Sequence, residues 1–151
     1  MTFKTILVAV DGSTHASKTV ETAANVAQRY GAKLIILHVV ARIFEGRVRD
    51  ELANFASMEH AEKTEYEMLQ ELGREIVQSA ELGARQKGIT NVEAVVEVGD
   101  TASVIINMAR ARGADLIVLG RRGLGTLAGL LLGSISHKVV QLADVPCLIV
   151  S

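Results

Sequence analysis

The sequence is poor in several residue types that mark particular classes of protein. Its 151 residues include one cysteine, one proline, no tryptophan and only 3% aromatic residues. The single cysteine, Cys147, excludes an internal disulfide and argues against a thiolate metal site, and we expect it to be a buried, inert thiol. The formal net charge of −1 gives no electrostatic reason to expect a nucleic acid or an anionic membrane as partner.

The sequence also lacks a long hydrophobic run. The first residues, MTFKTILVAVDGS, contain a short apolar stretch, and no run approaches the ~18 apolar residues of a membrane span. We therefore expect a cytoplasmic protein without a secretion signal or membrane insertion. The length and the 49% apolar content fit one domain, residues 1–151, with a core large enough to fold unaided.

Short apolar runs alternate along the chain with stretches of helical periodicity. Four runs lack polar alternation, which is typical of strands buried on both faces: TILVAV, KLIILHVV, DLIVLG and CLIVS. A fifth run, NVEAVVEV, carries Glu93 and Glu97 on one face and is predicted to be an edge strand. Helices are predicted from Val20 to Tyr30 before Gly31, from about Arg49 to Lys87, from Val104 to Ala109 before Gly113, and from Ile135 to Ala143 before Pro146.

This alternation predicts a doubly wound α/β fold with a five-stranded parallel sheet and helices on both faces. In such sheets a ligand binds beyond the carboxyl ends of the strands, where the chain switches from one side of the first strand to the other. Small or polar residues follow the predicted strands there, in VAVDGS, LHVV, VEVGD and the glycine-rich GRRGLGTLAGLLLGS. The least regular stretch, ARIFEGRVRD from Ala41 to Asp50, is expected to be a mobile loop.

The glycine-rich segment from Gly120 to Ser134 predicts a phosphate site. Its five glycines allow positive φ and close approach to a ligand, and their amides suit an anion-binding nest. Gly133 and Ser134 open a helix whose free N–H groups favour phosphate. A Walker loop is excluded because the chain has no GK[ST] tripeptide, and the first strand is followed by DGSTHAS rather than a dinucleotide-binding glycine motif.

The glycine spacing resembles a known family motif. Gly120-x-x-Gly123, nine residues, then Gly133-Ser134 is similar to the G-2x-G-9x-G-S/T motif of the ATP-binding branch of the universal stress protein family. ILVAVDGS and VPCLIV also resemble the two ends of that family, so the resemblance covers essentially the whole chain. It implies the strand order 3-2-1-4-5 and ATP as ligand, with AMP and ADP left open and Mg²⁺ carried by the nucleotide.

The resemblance also implies roles for individual residues. Asp11 would lie beside the adenosine, and Val39 would meet adenine through its backbone. Ala9 and Val10 would line the pocket, and Gly120 and Gly123 would lie near ribose and phosphates. The phosphate chain would be held by the amides and hydroxyls of Gly133, Ser134, Ile135 and Ser136. Arg121 and Arg122 depart from the common family pattern, and either could bind phosphate or face a partner subunit.

A homodimer is a further expectation. The predicted outer strand, CLIVS, carries neither the charge nor the cover that an exposed sheet edge requires. The family resemblance implies dimerisation through this carboxyl-terminal strand. A larger homo-oligomer, supported by the leucines of the glycine-rich segment, is left open, as is an unidentified regulated protein partner.

For several residues a structural role competes with a functional one. Asp11 can hold a turn or cap the first helix while also contacting nucleotide. His38 is predicted to be a hydrogen-bonded core residue, and Asp100 a helix N-cap. The other histidines are His15, His60 and His137. None of them has a second potential metal ligand at coordinating spacing, so no protein metal site is predicted.

Four functions remain to be weighed. The segment 120–134 contains no Asp, Glu, His or Lys, so efficient turnover is not indicated and no catalytic residue is assigned, although slow ATP hydrolysis stays open. A phosphoacceptor receiver domain is excluded because Asp11 has no acidic neighbour. We expect an ATP-binding regulatory module in stress response; a weak ATPase or phosphotransferase, and an interaction protein that binds no nucleotide, are the alternatives.

Overall fold

The computed structural model describes residues 1–41, 55–121 and 132–151, with side chains described from residue 65 onward in the second range. The strands in these ranges are β1 (Thr5–Ala9), β2 (Lys33–Ala41), β3 (Val92–Gly99), β4 (Leu116–Gly120) and β5 (Cys147–Val150). The helices are α1 (Ala16–Tyr30), α2 (Phe55–Gln86), α3 (Thr101–Arg112) and α4 (Ser134–Leu142). Strands and helices therefore alternate along the chain.

The five strands form one parallel sheet in the order β3-β2-β1-β4-β5, which confirms the predicted fold class and strand order. β1 lies at the centre, where Leu7 pairs with Ile35 of β2 on one side and with Ile117 of β4 on the other. The chain runs outward from β1 to β3 and then crosses to β4. The switch point is therefore between the carboxyl ends of β1 and β4.

Each face of the sheet is covered by one pair of helices. The cluster that contains Ile6 and Ile36 packs with α1 and the end of α2, while the cluster that contains Leu7 and Ile35 packs with α3 and α4. All four of these side chains are completely buried. Neighbouring residues of the central strands thus enter opposite cores, and this explains why their sequences are continuously apolar.

Charged side chains protect the exposed edge at β3. Glu93 accepts a hydrogen bond from Lys33 Nζ at 2.7 Å and also pairs with the guanidinium of Arg112. These two partners hold the pKa of Glu93 below its usual value. The edge position predicted from the glutamates is confirmed, and its charges disfavour pairing with another strand.

The helix ends follow local sequence rules. Gly31 and Gly113 both adopt the left-handed conformation with φ of 64°, which ends α1 and α3 as predicted. Asp100 is the N-cap of α3, because its carboxylate accepts a hydrogen bond from Ser103 N at 3.1 Å. Hydrogen bonds from Ser103 are the main cause of the lowered pKa of Asp100.

Some predictions needed correction or fall outside the described ranges. In α4, Val139 is fully buried, but Ile135 and Leu142 are 43% and 52% exposed, so the predicted apolar stripe does not all enter the core. Cys147 is half-buried rather than buried because β5 is the last strand of the sheet; burial still raises the pKa of its thiol. Ala41, the first residue of the predicted mobile loop 41–50, is instead the last residue of β2. The rest of that loop, 42–50, and the predicted helical residues 49–54 lie outside the described residues.

Within the described ranges, no helix has an apolar stretch long enough to cross a membrane.

Two glycines of α2 occupy contrasting surroundings. A Cβ at Gly73 would lie 2.9 Å from His38 Cδ2 and 3.0 Å from Val96 Cγ1, so α2 rests on the sheet through a residue with no side chain. A Cβ at Gly83 would meet nothing within 4 Å. Glycine at Gly73 is therefore a packing requirement, whereas Gly83 only weakens the helix.

We predict opposite effects of alanine at these two positions. Gly83→Ala should raise the free energy of unfolding by about 0.5–1 kcal/mol, the usual preference for alanine in a helix. Gly73→Ala should lower it by about 1–3 kcal/mol because α2 must move away from His38 and Val96. Urea unfolding followed by circular dichroism measures both. A Gly73→Ala protein as stable as Gly83→Ala would contradict the packing.

Candidate functional site

A cavity of about 510 Å³ lies at the carboxyl ends of β1, β2 and β4, where the topology predicts a ligand site. We refer to it as the strand-end cavity. Apart from Gly123, which lies outside the described residues, every binding residue expected from the sequence lines it. These are Ala9, Val10, Asp11, Val39, Gly120, Gly133, Ser134, Ile135 and Ser136. Its size is within the range of small-molecule sites.

A larger groove of about 710 Å³ lies between α1 and α2. Small and apolar side chains such as Ala24 and Ala80 form much of its lining, and none of the described residues of the glycine-rich segment, 120, 121 and 132–134, lines it. The strand-end cavity instead combines the ends of three strands with the start of α4, which supplies polar backbone groups. The candidate site is therefore the strand-end cavity.

The loop after β1 is shaped by Asp11 and Gly12. Asp11 Oδ1 accepts a hydrogen bond from Ser13 N at 2.9 Å, which closes a tight turn. Gly12 has a φ of 79°, and a Cβ there would lie 2.9 Å from Ile76 Cδ1. The N-cap of α1 is His15, so Asp11 holds the turn and does not cap the helix. Asp11 also lines the cavity, which is compatible with a second role in ligand contact.

His38 holds the end of β1 from the neighbouring strand. Its Nδ1 lies 2.8 Å from the carbonyl oxygen of Val10, and because a carbonyl only accepts, Nδ1 carries the proton. The predicted hydrogen bond of His38 is confirmed, but the side chain is half-buried and does not lie in the core. Sequence reasoning missed that His38 also lines the strand-end cavity, next to the residue that precedes Asp11. The signal was a single polar residue within the apolar run of β2.

The backbone of Val39 faces the cavity for a reason of register. Leu37 O accepts a hydrogen bond from Val10 N at 2.9 Å, so the backbone groups of Leu37 point toward β1. Residues two apart in a strand point their N–H and C=O groups to the same side, so those of Val39 also point that way. β1 ends at Ala9, and within the described ranges no backbone group bonds to Val39 from that side. Val39 therefore offers a donor and an acceptor at the cavity wall.

The first turn of α4, whose residues line the cavity, contains amides that have no acceptor within the helix. The first hydrogen bond within the helix runs from His137 N to Gly133 O at 2.9 Å. The amides of Ser134, Ile135 and Ser136 precede it and have no partner within the helix. Three N–H groups at the positive end of a helix dipole form a favourable environment for an anion.

Two groups expected to hold phosphate have other partners. Ser136 is buried, and its Oγ donates to Gly120 O at 2.7 Å, so the only proton of this hydroxyl is used within the protein. Gly133 N donates to Arg121 O at 2.8 Å. The Ser136 hydroxyl and the Gly133 amide thus join α4 to the end of β4, and at the cavity Ser136 offers its amide; the phosphate contacts of these residues stay a prediction.

The predicted role of glycine is also corrected at two positions. Gly133 has a φ of −66°, and Gly120 is absent from the described glycines with positive φ, so neither needs left-handed backbone. Gly133 is nevertheless buried and lines the cavity, which leaves close approach of the backbone as the property that glycine supplies. Outside the described residues lie Arg122, Gly123, Gly125, Gly129 and the leucines Leu127, Leu130 and Leu131.

Several lining residues come from helices that the sequence did not connect with the site. Leu69, Leu72 and Ile76 of α2 and Thr101 and Ile105 of α3 all line the strand-end cavity. The apolar spacing of these residues predicted only that they lie on apolar faces of helices. Nothing local in the sequence shows which end of the sheet a long helix covers. Among the described side chains, no group of three His, Cys, Asp or Glu residues is arranged to hold a metal ion.

Comparisons with known proteins agree with this architecture. A family model described as "Universal stress protein family" matches residues 2–151. The chain is 34% identical to Universal stress protein YxiE of Bacillus subtilis, with 98% of this chain and 99% of that protein covered. It is 36% identical to a universal stress protein of Thermus aquaticus encoded in the QAH/OAS sulfhydrylase 3′ region, with 98% of each covered.

A solved structure of a universal stress protein in complex with cAMP is similar over the whole chain. It superposes with a TM-score of 0.70 at 27% identity, with 100% of this chain and 98% of that chain covered.

We predict that the two serines at the start of α4 contribute differently to stability. Ser136→Ala should lower the free energy of unfolding by about 1–2 kcal/mol, because it removes the hydrogen bond to Gly120 O and leaves that carbonyl without its partner. Ser134→Ala, at an exposed position, should change it by about 0.5 kcal/mol or less. Thermal and urea unfolding of both variants measure the difference. Equal stabilities would contradict the role assigned to Ser136.

Proposed function

The chain belongs to the universal stress protein family, and from that premise we propose that it binds ATP in the strand-end cavity and acts as a nucleotide-binding regulatory module in stress response. The observation that carries the proposal is the set of free amides in the first turn of α4, which opens onto the same cavity as the backbone of Val39. The cAMP complex of a relative supports an adenine nucleotide as the class of ligand.

Each part of the nucleotide has a matching partner. We assign the adenine edge to the N–H and C=O of Val39, which offer one donor and one acceptor. Asp11 and Gly120 are assigned to the ribose side of the cavity, where a carboxylate can accept hydrogen bonds from hydroxyls. The phosphates are assigned to the amides of Ser134, Ile135 and Ser136 and to the hydroxyl of Ser134.

Mg²⁺ is proposed to enter with the nucleotide, where it would neutralise part of the phosphate charge. Asp11 is a carboxylate lining the cavity, and oxygen ligands suit this ion. The described residues offer no cluster that would hold the ion alone, so its ligands would come mainly from the phosphates. AMP and ADP use the same adenine and ribose contacts and are the alternative ligands.

We further propose a homodimer formed through β5. Pro146 O accepts a hydrogen bond from Ile117 N of β4 at 3.0 Å, and Val150 O accepts one at 2.7 Å from the N–H of Arg121, which follows β4, so alternate residues along β5 face inward. The backbone groups of Cys147 and Ile149 therefore face away from the sheet. This edge carries no charged side chain, unlike β3, and a second copy of the same strand would satisfy it.

Titration calorimetry of ATP into nucleotide-stripped protein tests the binding proposal. We predict saturable binding of about one ATP per chain. Gly133→Val should abolish it, because a branched side chain at this buried lining residue fills the space in front of the α4 amides. Gly83→Val is the matched control, since its Cβ enters open space and Gly83 is not among the described residues that line the cavity, and it should bind as the wild type does.

Circular dichroism must show that both valine variants are folded. Unchanged ATP affinity in folded Gly133→Val would contradict the phosphate position. Absence of binding at millimolar ATP in the wild type would overturn the proposal and favour an interaction protein that binds no nucleotide.

Ile149→Pro tests the dimer. Proline removes an N–H that points away from the sheet and leaves the bonds between β4 and β5 intact, so it should convert a dimer into monomers. Ile149→Ala is the control for the lost side chain and should remain dimeric. Light scattering coupled to size-exclusion chromatography measures the mass of each. Dimeric Ile149→Pro, or a monomeric wild type, would refute pairing through this edge.

A further inference from the structure

A second cavity adjoins the strand-end cavity beyond the start of α4. We call it the side cavity; its volume is about 530 Å³. Four residues line both cavities, so the two lie side by side: Ala41, Thr101, Ser134 and Ile135. The residues that line only the side cavity include Asp100 and Lys138. A group bound at the amides of α4 can therefore extend into a second, charged space.

Lys138 is the one lysine or arginine that lines either cavity within the described part of the chain. It lies one helical turn after Ser134, and residues four apart share a helix face. Its ammonium is therefore on the side of α4 that carries the proposed phosphate contacts. A nucleoside triphosphate has more negative charge to neutralise than a monophosphate, and the amides of α4 carry only partial positive charge.

The present partner of Lys138 holds it only weakly. Lys138 Nζ lies 3.4 Å from Asp100 Oδ2, and the two side chains are 49% and 62% exposed. Exposed pairs of this kind contribute little to stability. The same carboxylate oxygen accepts from Ser103 N at 3.1 Å and from Ser103 Oγ at 2.6 Å. Asp100 therefore remains hydrogen-bonded as the cap of α3 when Lys138 turns toward another anion.

We propose that Lys138 binds the terminal phosphates of a nucleoside polyphosphate in the side cavity and thereby makes the site prefer ATP over AMP. Asp100 competes with the ligand for the ammonium and sets the strength of that preference. The inference rests on the proposed function, because it requires an adenine nucleotide in the strand-end cavity.

The test compares ATP, ADP and AMP affinities by calorimetry of the full chain in Mg²⁺-free buffer. Lys138→Met should weaken ATP binding about tenfold, because one charge-assisted contact is lost, and should change AMP binding less than about twofold. Asp100→Asn should tighten ATP binding about threefold, since asparagine caps α3 as well as aspartate does but does not compete for the ammonium. Lys87→Met is the control: it removes the same charge from the pair with Glu21, which lines neither cavity. It should leave the ratio of ATP affinity to AMP affinity unchanged.

The outcomes separate this inference from the proposed function. If the wild type binds no adenine nucleotide, both fail together. If it binds ATP and AMP but Lys138→Met changes both affinities equally or neither, the site stands and the role of Lys138 is overturned. Weaker ATP binding in Asp100→Asn would likewise overturn it, because it would show that the carboxylate assists the phosphates.

Discussion

The parallel pairing of β1 with β2 on one side and with β4 on the other is the constraint on which the rest of the structure depends. Because β1 ends at Ala9 while β2 continues to Ala41, the backbone groups of Val39 that point toward β1 have no strand on that side, although β3 lies on the other. The chain leaves β4 at Gly120, and α4 begins at Ser134, so the first turn of this helix lies at the same end of the sheet as Val39. Both polar edges of the cavity are thus consequences of where strands stop, and neither requires a specialised side chain.

The helices then fix this edge from outside the sheet. On one face, α2 packs so closely at Gly73 that His38 lies against it, and His38 in turn holds the carbonyl of Val10 next to Asp11. On the other face, Ser136 joins α4 to the last residue of β4. The cavity wall is therefore positioned by hydrogen bonds between neighbouring elements, so a change in helix packing also changes the shape of the cavity wall.

The sequence determined the features that depend on local rules. Continuous apolar strands, the glycines at Gly31 and Gly113, and the cap at Asp100 were all predictable, because each depends on the residue itself and on its immediate neighbours. The roles of Ser136 and Gly133 were not, because a hydroxyl or an amide at a helix start can bond to ligand or to protein. The choice depends on the carbonyls of Gly120 and Arg121, which only the three-dimensional structure brings near. Ile135 is likewise exposed because it lines both cavities at the start of α4, a position that helical periodicity does not encode.

The bond between Gly133 N and Arg121 O has a consequence for the segment between these two residues. It holds the residue that precedes α4 beside the residue that follows β4, so the two ends of that segment are one hydrogen bond apart. When the ends of a segment are held together, the entropy of loop closure depends only weakly on its length, on the order of 0.6 kcal/mol for each doubling. The position of α4 relative to β4 is therefore set by this bond and by that of the Ser136 hydroxyl, and depends little on the length of chain between them.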